Sequence, residues 1–220
     1  MLRFTMFLLT VALAQGAPAS RGTDLSAPEF WAQPALDARI DVAHFNRELM
    51  AAAIFHETNR VRGKLGLRLF RTLPKLDEAA DLEAAVGKVY QPPSHTNPFP
   101  MIGTPAARVG FVGLKARQVA ENIALLPRYD VEAGAGVGVI MREGRRHFVN
   151  FRTQAELQPA TYRGFAALVV RAWMDSPGHR ANIVASALTH LGCSVQPSVS
   201  IAGVDNLFCV QVFFTPAGQD

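Results

Sequence analysis

His95 and His179 each follow a helix-forming stretch, and each sits in a tight polar loop containing proline or glycine: Pro92-Pro93-Ser94-His95-Thr96 and Ser176-Pro177-Gly178-His179-Arg180. Loops displayed by a rigid scaffold are where binding and catalytic groups concentrate. Glu121 lies in Ala120-Glu121-Asn122-Ile123-Ala124, a carboxylate inside an apolar, strand-like stretch, and a buried carboxylate needs a hydrogen-bonded or cationic partner. Two imidazoles can supply one. Such a cluster can do three things. The carboxylate can orient a histidine and raise its basicity for proton transfer. It can leave the pair His95 and His179 free to hold a divalent metal such as zinc, with water completing the shell. It can also simply tie three loops together through charge-assisted hydrogen bonds.

The other histidines have local explanations. His56-Glu57 begins like a zinc-protease helix, but Arg60 occupies the place of the second histidine and the pattern fails. His44 lies on the same predicted helix, His147 in a charged hairpin and His190 just before a strand, all ordinary surface or cap positions. Ser94 and Ser176 neighbour the two loop histidines but lack a nucleophile-elbow context.

The elements that must position these residues can be read from periodicity. Residues 41 to 66 carry Phe45, Leu49, Ala52 or Ala53, Phe55 or His56, Asn59 and Arg62 at helical spacing, with Asp41 as the expected cap and Gly66 as the stop. A second helix is predicted from Pro74 to Tyr90, ended by Pro92-Pro93, and a third from Tyr162 to Met174 with Thr161 as cap. A helical turn follows from Arg180 to Ser186. Residues 94 to 105 form a long Pro/Thr/Asn/Gly loop, and loops of this length inside a compact domain are usually functional. Gly134 to Phe151 reads as a hairpin turning at Glu143-Gly144. Its Arg142, Arg145, Arg146 and Arg152 could bind an anion, although a solvated turn accounts for them. Leu191 to Val199 and Leu207 to Phe214 read as a closing antiparallel hairpin. The order helix, helix, hairpin, helix, hairpin predicts an α+β fold with helices packed on a largely antiparallel sheet.

Of 220 residues, 49% are hydrophobic and 18% charged, enough for one sizeable core and too little charge for a disordered chain. Residues 1–19 stand apart: Arg3 precedes an apolar run from Phe4 to Leu13, and small residues at Ala12, Ala14, Ala17 and Ala19 suit cleavage after Ala14 or Ala17. This is a signal-peptide pattern, implying a secreted or periplasmic protein. No other stretch is apolar enough for a membrane helix, and no cysteine lies near the cleavage region to take a lipid. Without Arg3 the balance is 21 basic against 18 acidic residues, too mild for a nucleic-acid binder. Residues 20–40, with scattered Pro, Gly and Ser, read as an extended leader, and order is expected from Asp41. Cys193 and Cys209, the only cysteines, lie symmetrically about residue 201, so a hairpin of suitable register would set them opposite one another for a disulfide, with two buried free thiols as the alternative.

Five blocks together resemble the bacterial branch of the CAP superfamily, which groups cysteine-rich secretory proteins, antigen five and plant pathogenesis-related one. They are Asn59-Arg60-Val61-Arg62 with Gly66-Leu67, the helix around Leu76 to Ala85, Ser94-His95-Thr96, Glu121-Asn122-Ile123-Ala124, and the run from Ala172-Trp173 through Ser176-Pro177-Gly178-His179-Arg180 to Ile183. Leu191-Gly192-Cys193-Ser194 and Val210-Gln211-Val212-Phe213 extend the resemblance to about residues 50–214. It implies a three-layer α-β-α sandwich over residues 41–220, with the hairpin an insertion at about 126–161. It also implies a cleft carrying His95, His179 and Glu121. Many eukaryotic members add a second glutamate three residues after the tryptophan, where this chain has Ser176, as the bacterial branch often does. The resemblance leaves three functions to weigh: binding of a lipid-like or cell-envelope ligand, metal-assisted hydrolysis of peptides or esters, and a structural or protein-interaction role.

Overall fold

The computed structural model describes residues 22–90, 92–131 and 135–218, without the side chains of 199 and 200. The predicted signal peptide lies outside these residues. Among the described residues six α-helices and five strands follow in order: α1 (Ala27–Trp31), α2 (Arg47–Lys64), α3 (Pro74–Gly87), α4 (Pro105–Phe111), β1 (Ala116–Pro127), β2 (Val137–Arg142), β3 (Arg145–Asn150), α5 (Tyr162–Asp175), α6 (Pro177–Val184), β4 (His190–Ile201) and β5 (Val204–Pro216). Antiparallel pairing gives one sheet in the order β1-β5-β4, and β2 with β3 forms a separate hairpin.

Strand alternation divides the core into two halves. Leu207, Cys209 and Phe213 of β5, with Leu191, Cys193 and Val195 of β4, pack with residues of α2, α5 and α6. Phe208, Val210, Val212 and Phe214 pack on the opposite face with Leu76, Ala79, Ala80 and Ala84 of α3 and Val109 of α4. The result is the expected α+β sandwich: three helices, an antiparallel sheet, two helices. Among the described residues no helix is long and apolar enough to cross a membrane.

Two expectations about the N-terminal half are corrected. Residues 22–40 are not an extended leader: they form short helices at Gly22–Asp24, Ala27–Trp31 and Pro34–Asp37, and place Phe30, Leu36 and Ile40 in the core. Three well-spaced apolar side chains anchor this segment despite its loop-like composition. The first long helix starts at Arg47 rather than Asp41, because Asn46 accepts the Leu49 N–H at 3.0 Å while the Asp41 carboxylate accepts the Ala43 N–H and pairs with His44. The block around Asn59 is structural. Its side-chain amide bonds both ways to the Phe70 backbone, and buried Arg62 donates to the carbonyls of Arg68 and Ile183, stapling α6 to α2.

The expected disulfide is replaced by two buried free thiols. The β4–β5 turn is centred on residues 202–203 rather than on residue 201. Ala202 and Gly203, both at positive φ, close it, and a register shift lies between Ser198 and Ile201. Cys193 therefore faces Gln211, and Cys209 faces Val195. The two cysteines share a face but sit diagonally, where Cβ atoms are too far apart for a bridge without backbone movement.

Candidate functional site

The centre of the site is Glu121, on the β1 face that looks toward α3 and α4. Its side chain is buried and both oxygens are taken. His95 Nδ1 donates to Oε1 at 2.9 Å, and Arg108 Nη2 donates to Oε2 at 2.6 Å. Arg108, on α4, is itself completely buried. It also binds the Glu83 carboxylate of α3 at 2.8 Å and donates to the carbonyls of Ile102 and, at 3.4 Å, His95. Asn97 donates to Glu83 and to the Ile102 carbonyl, folding residues 95–102 back onto the cluster. The long loop is thus held from beneath by one guanidinium, whose planar fork matches two carboxylates at once.

His179 is placed from the other side of the sheet. Asn122 points away from Glu121 and donates to the His179 carbonyl at 3.1 Å, while Asn182 donates to Asn122 Oδ1 and to the Glu121 carbonyl. Gln211 of β5 accepts from Asn122 and donates to Thr58 of α2, and Trp173 donates its indole N–H to the Ile123 carbonyl. Consecutive residues of β1 therefore serve two layers: Glu121 fixes the His95 loop, and Asn122 fixes the start of α6.

The pKa values of His95 and His179 move in opposite senses. The hydrogen bond to Glu121 raises the His95 pKa against a smaller effect of burial. Burial lowers that of His179, and the charge on His95 lowers it further. Glu83 is raised, by burial more than Arg108 offsets. Arg108 is the guanidinium shared by both carboxylates, and His95 adds a second donor on the Glu121 side.

A histidine NMR titration should therefore give a midpoint above the ordinary value of about 6.5 for His95 and below it for His179. Glu121→Gln should remove most of the His95 rise; unchanged His95 behaviour in that variant would break the assignment. The linkage has two signs. The His95 contribution to stability is complete below about pH 6.5 and is lost as pH rises through its raised pKa. That of His179 is present above about pH 6.5 and lost as pH falls through its lowered pKa.

Ser176, at the position of the second glutamate, ends α5 and precedes α6 without a side-chain cap. The structure brings a second glutamate to the cluster from elsewhere, Glu83, but behind Arg108 rather than beside the histidines. Neither Glu83 nor Arg108 was expected from sequence. The available signal was Thr104-Pro105, a cap followed by a first-turn proline, which the composition of the loop obscured. Among the described residues no three His, Cys, Asp or Glu side chains are grouped to hold a metal, so an ion on His95 and His179 would depend on water for the rest of its shell. His56, His44, His147 and His190 lie outside the cluster with partners of their own: the Gly22 carbonyl, Asp41, Glu156 and Thr189.

The family model described as the cysteine-rich secretory protein family, CAP, matches residues 55–213. Among solved structures, an outer surface protein of Borrelia burgdorferi is 16% identical with a TM-score of 0.50, over 82% of this chain and 99% of that one. An extracellular protein containing a SCP domain, from Bacillus anthracis str. Ames, is 20% identical with a TM-score of 0.46, over 76% of this chain and 41% of its own. A cysteine-rich secretory protein of Staphylococcus aureus is 10% identical with a TM-score of 0.44, over 77% and 39%. This chain spans less than half the length of the latter two. These likenesses concern the fold. No curated protein matches the chain.

Proposed function

The chain belongs to the CAP family of cysteine-rich secretory proteins, and on that premise we propose that it is exported to the periplasm or the cell exterior, where the cleft around His95, Glu121 and His179 binds a lipid-like or cell-envelope ligand. Export is supported by the signal-peptide pattern and by likeness to proteins described as extracellular or outer-surface. The observation that carries the binding reading is the state of Glu121. Its side chain is buried, with one oxygen held by His95 and the other by Arg108. It acts as a clamp. What the clamp presents is the His95 ring, whose side chain is 47% exposed and whose Nδ1 is already engaged, leaving Nε2 to donate to an acceptor such as a carboxylate or phosphate headgroup.

A second reading, hydrolysis, is favoured by one observation: the opposite pKa shifts of His95 and His179 provide a proton donor beside a proton acceptor. One set of measurements separates the two. Delipidated protein is titrated with cis-parinaric acid, a fluorescent fatty acid, and incubated with envelope lipid extract and with p-nitrophenyl esters. Saturable binding that weakens about tenfold or more in the His95→Gln, His179→Gln double variant, without ester turnover, is the expected result. Turnover abolished in the double variant would establish the hydrolase instead, and absence of any binding to probe or extract would overturn the proposal.

A further inference from the structure

Two tight turns share one end of the molecule, away from the His95 cluster. Glu143 and Gly144, both at positive φ, close β2–β3, and Ala202 and Gly203 close β4–β5. They are held together: Arg146 Nη1 donates to the Gly203 carbonyl at 3.4 Å, and Val139 lies beside Gly203. On this end Met141 is 64% exposed and Ile201 43% exposed. Arg142, Arg145 and Arg146 are also exposed at the tip of this hairpin, Arg146 on the face of Met141 and Arg142 with Arg145 on the other, and Glu143 is the acidic residue of the β2–β3 turn.

The pairing is unfavourable from the standpoint of the folded chain alone. Arg142 sits directly across from Arg145, and Arg146 across from Met141. Like charges opposite one another destabilise an antiparallel pair, and among the described residues none of the three arginines forms an ion pair. A solvated turn accounts for isolated arginines, but not for two solvent-facing aliphatic side chains at the same end as a repelling cationic pair.

We propose that this end docks on an anionic lipid bilayer. The guanidinium groups are matched to lipid phosphates, which they engage through paired N–H donors, and Met141 and Ile201 enter the boundary between headgroups and acyl chains. Charge complementarity selects the occupant. A second copy of the same surface would repel, and a hydrated polyanion would gain nothing from the two aliphatic side chains. The docking is independent of what the cleft binds, since none of these residues belongs to the His95 cluster.

The test is co-sedimentation of the full chain with phosphatidylcholine vesicles, with and without phosphatidylglycerol. Binding is expected only with the anionic lipid and should fall in high salt. Each arginine near such a surface contributes about fivefold to affinity, so Arg142→Gln with Arg145→Gln should weaken binding about thirtyfold. Met141→Ser should weaken it severalfold with no change of charge. Arg117→Gln with Arg152→Gln removes the same charge and should leave binding intact. Arg117 lies at the opposite end of the sheet, near the Pro216 end of β5, and Arg152 lies beyond β3. Thermal melts identify any variant whose fold is damaged, and for such a variant the salt dependence of the native chain decides. Equal binding to neutral vesicles, or native affinity in the Arg142/Arg145 variant, overturns the proposal. So does an unchanged Met141→Ser variant whose binding dextran sulfate competes away, which would mark a polyanion site.

Discussion

Replacing Arg108 by methionine is expected to destabilise the protein by about 3–5 kcal/mol, the largest effect of any single side chain around His95. The residue is fully buried and carries the only fixed positive charge between the Glu83 and Glu121 carboxylates, both also buried. Methionine fills much of the volume, so the loss is electrostatic rather than a cavity effect. Two carboxylates would face each other in a low-dielectric interior, and one would be driven to protonate. The damage should also reach His95, whose carbonyl Arg108 contacts and whose ring partner it holds. Urea melts near neutral pH test the size of the loss. Adding Glu83→Gln to Arg108→Met should recover a substantial part of it, since the repulsion is then gone. A single-variant loss below about 1 kcal/mol, or no recovery in the double variant, would mean that the carboxylates are neutral in the native protein and that the charge arithmetic of the site is wrong.

The arrangement also marks what sequence reasoning could reach. His95, Glu121 and His179 are legible because each breaks a local pattern: a histidine in a proline-rich loop, a charge in an apolar strand, a histidine at a helix start. Arg108 breaks nothing. In Thr-Pro-Ala-Ala-Arg it looks like an exposed residue of a polar loop, and only the return of residues 95–102 over α4 buries it. Its two glutamate partners lie 25 positions before it and 13 after it, separations that helical or strand periodicity does not register. Asn122 and Gln211 stand at the limit. Both lie in recognisable blocks, but their amide chain to Thr58 and His179 exists only when three layers are assembled.

The same distinction holds for the fold. The long helices, the β2–β3 hairpin and the closing strands follow from period and turn residues, whose information is local. The register of β4 on β5 does not. It depends on a turn centred on Ala202-Gly203 rather than on residue 201, which pairs Cys193 with Gln211 instead of Cys209, and a plain alternating pattern is equally satisfied by registers two residues apart. The residues before Asp41 fail for a different reason. Phe30, Leu36 and Ile40 are too few and too widely spaced to show a period, yet each fills the core.

Gly192→Ala carries the second large effect, about 3 kcal/mol of lost stability, and it falls on a residue that the chemistry-bearing blocks do not single out. Gly192 pairs with Val212 in the sheet and turns its bare Cα toward α3. A methyl group there would lie 2.5 Å from the Leu76 carbonyl oxygen and 2.7 Å from the Asp77 nitrogen, closer than any real contact. Both are backbone atoms, so relief requires α3 to move as a unit. That movement would strain the Asp77 carboxylate, which accepts the Cys193 N–H at 3.0 Å, and loosen Leu76, Ala79 and Ala80 from the sheet. Gly178, beside His179 in the Ser-Pro-Gly-His run, makes the opposite case: nothing lies within 4 Å of a Cβ there, and its position in the first turn of α6 accepts alanine. Gly178→Ala should change stability by no more than about 0.5 kcal/mol. Parallel thermal and urea melts of the two alanine variants decide the matter. If Gly192→Ala proves as mild as Gly178→Ala, helix α3 does not pack on β4 as closely as described, and the placement of Glu83 behind Arg108 falls with it, because the same helix carries both contacts.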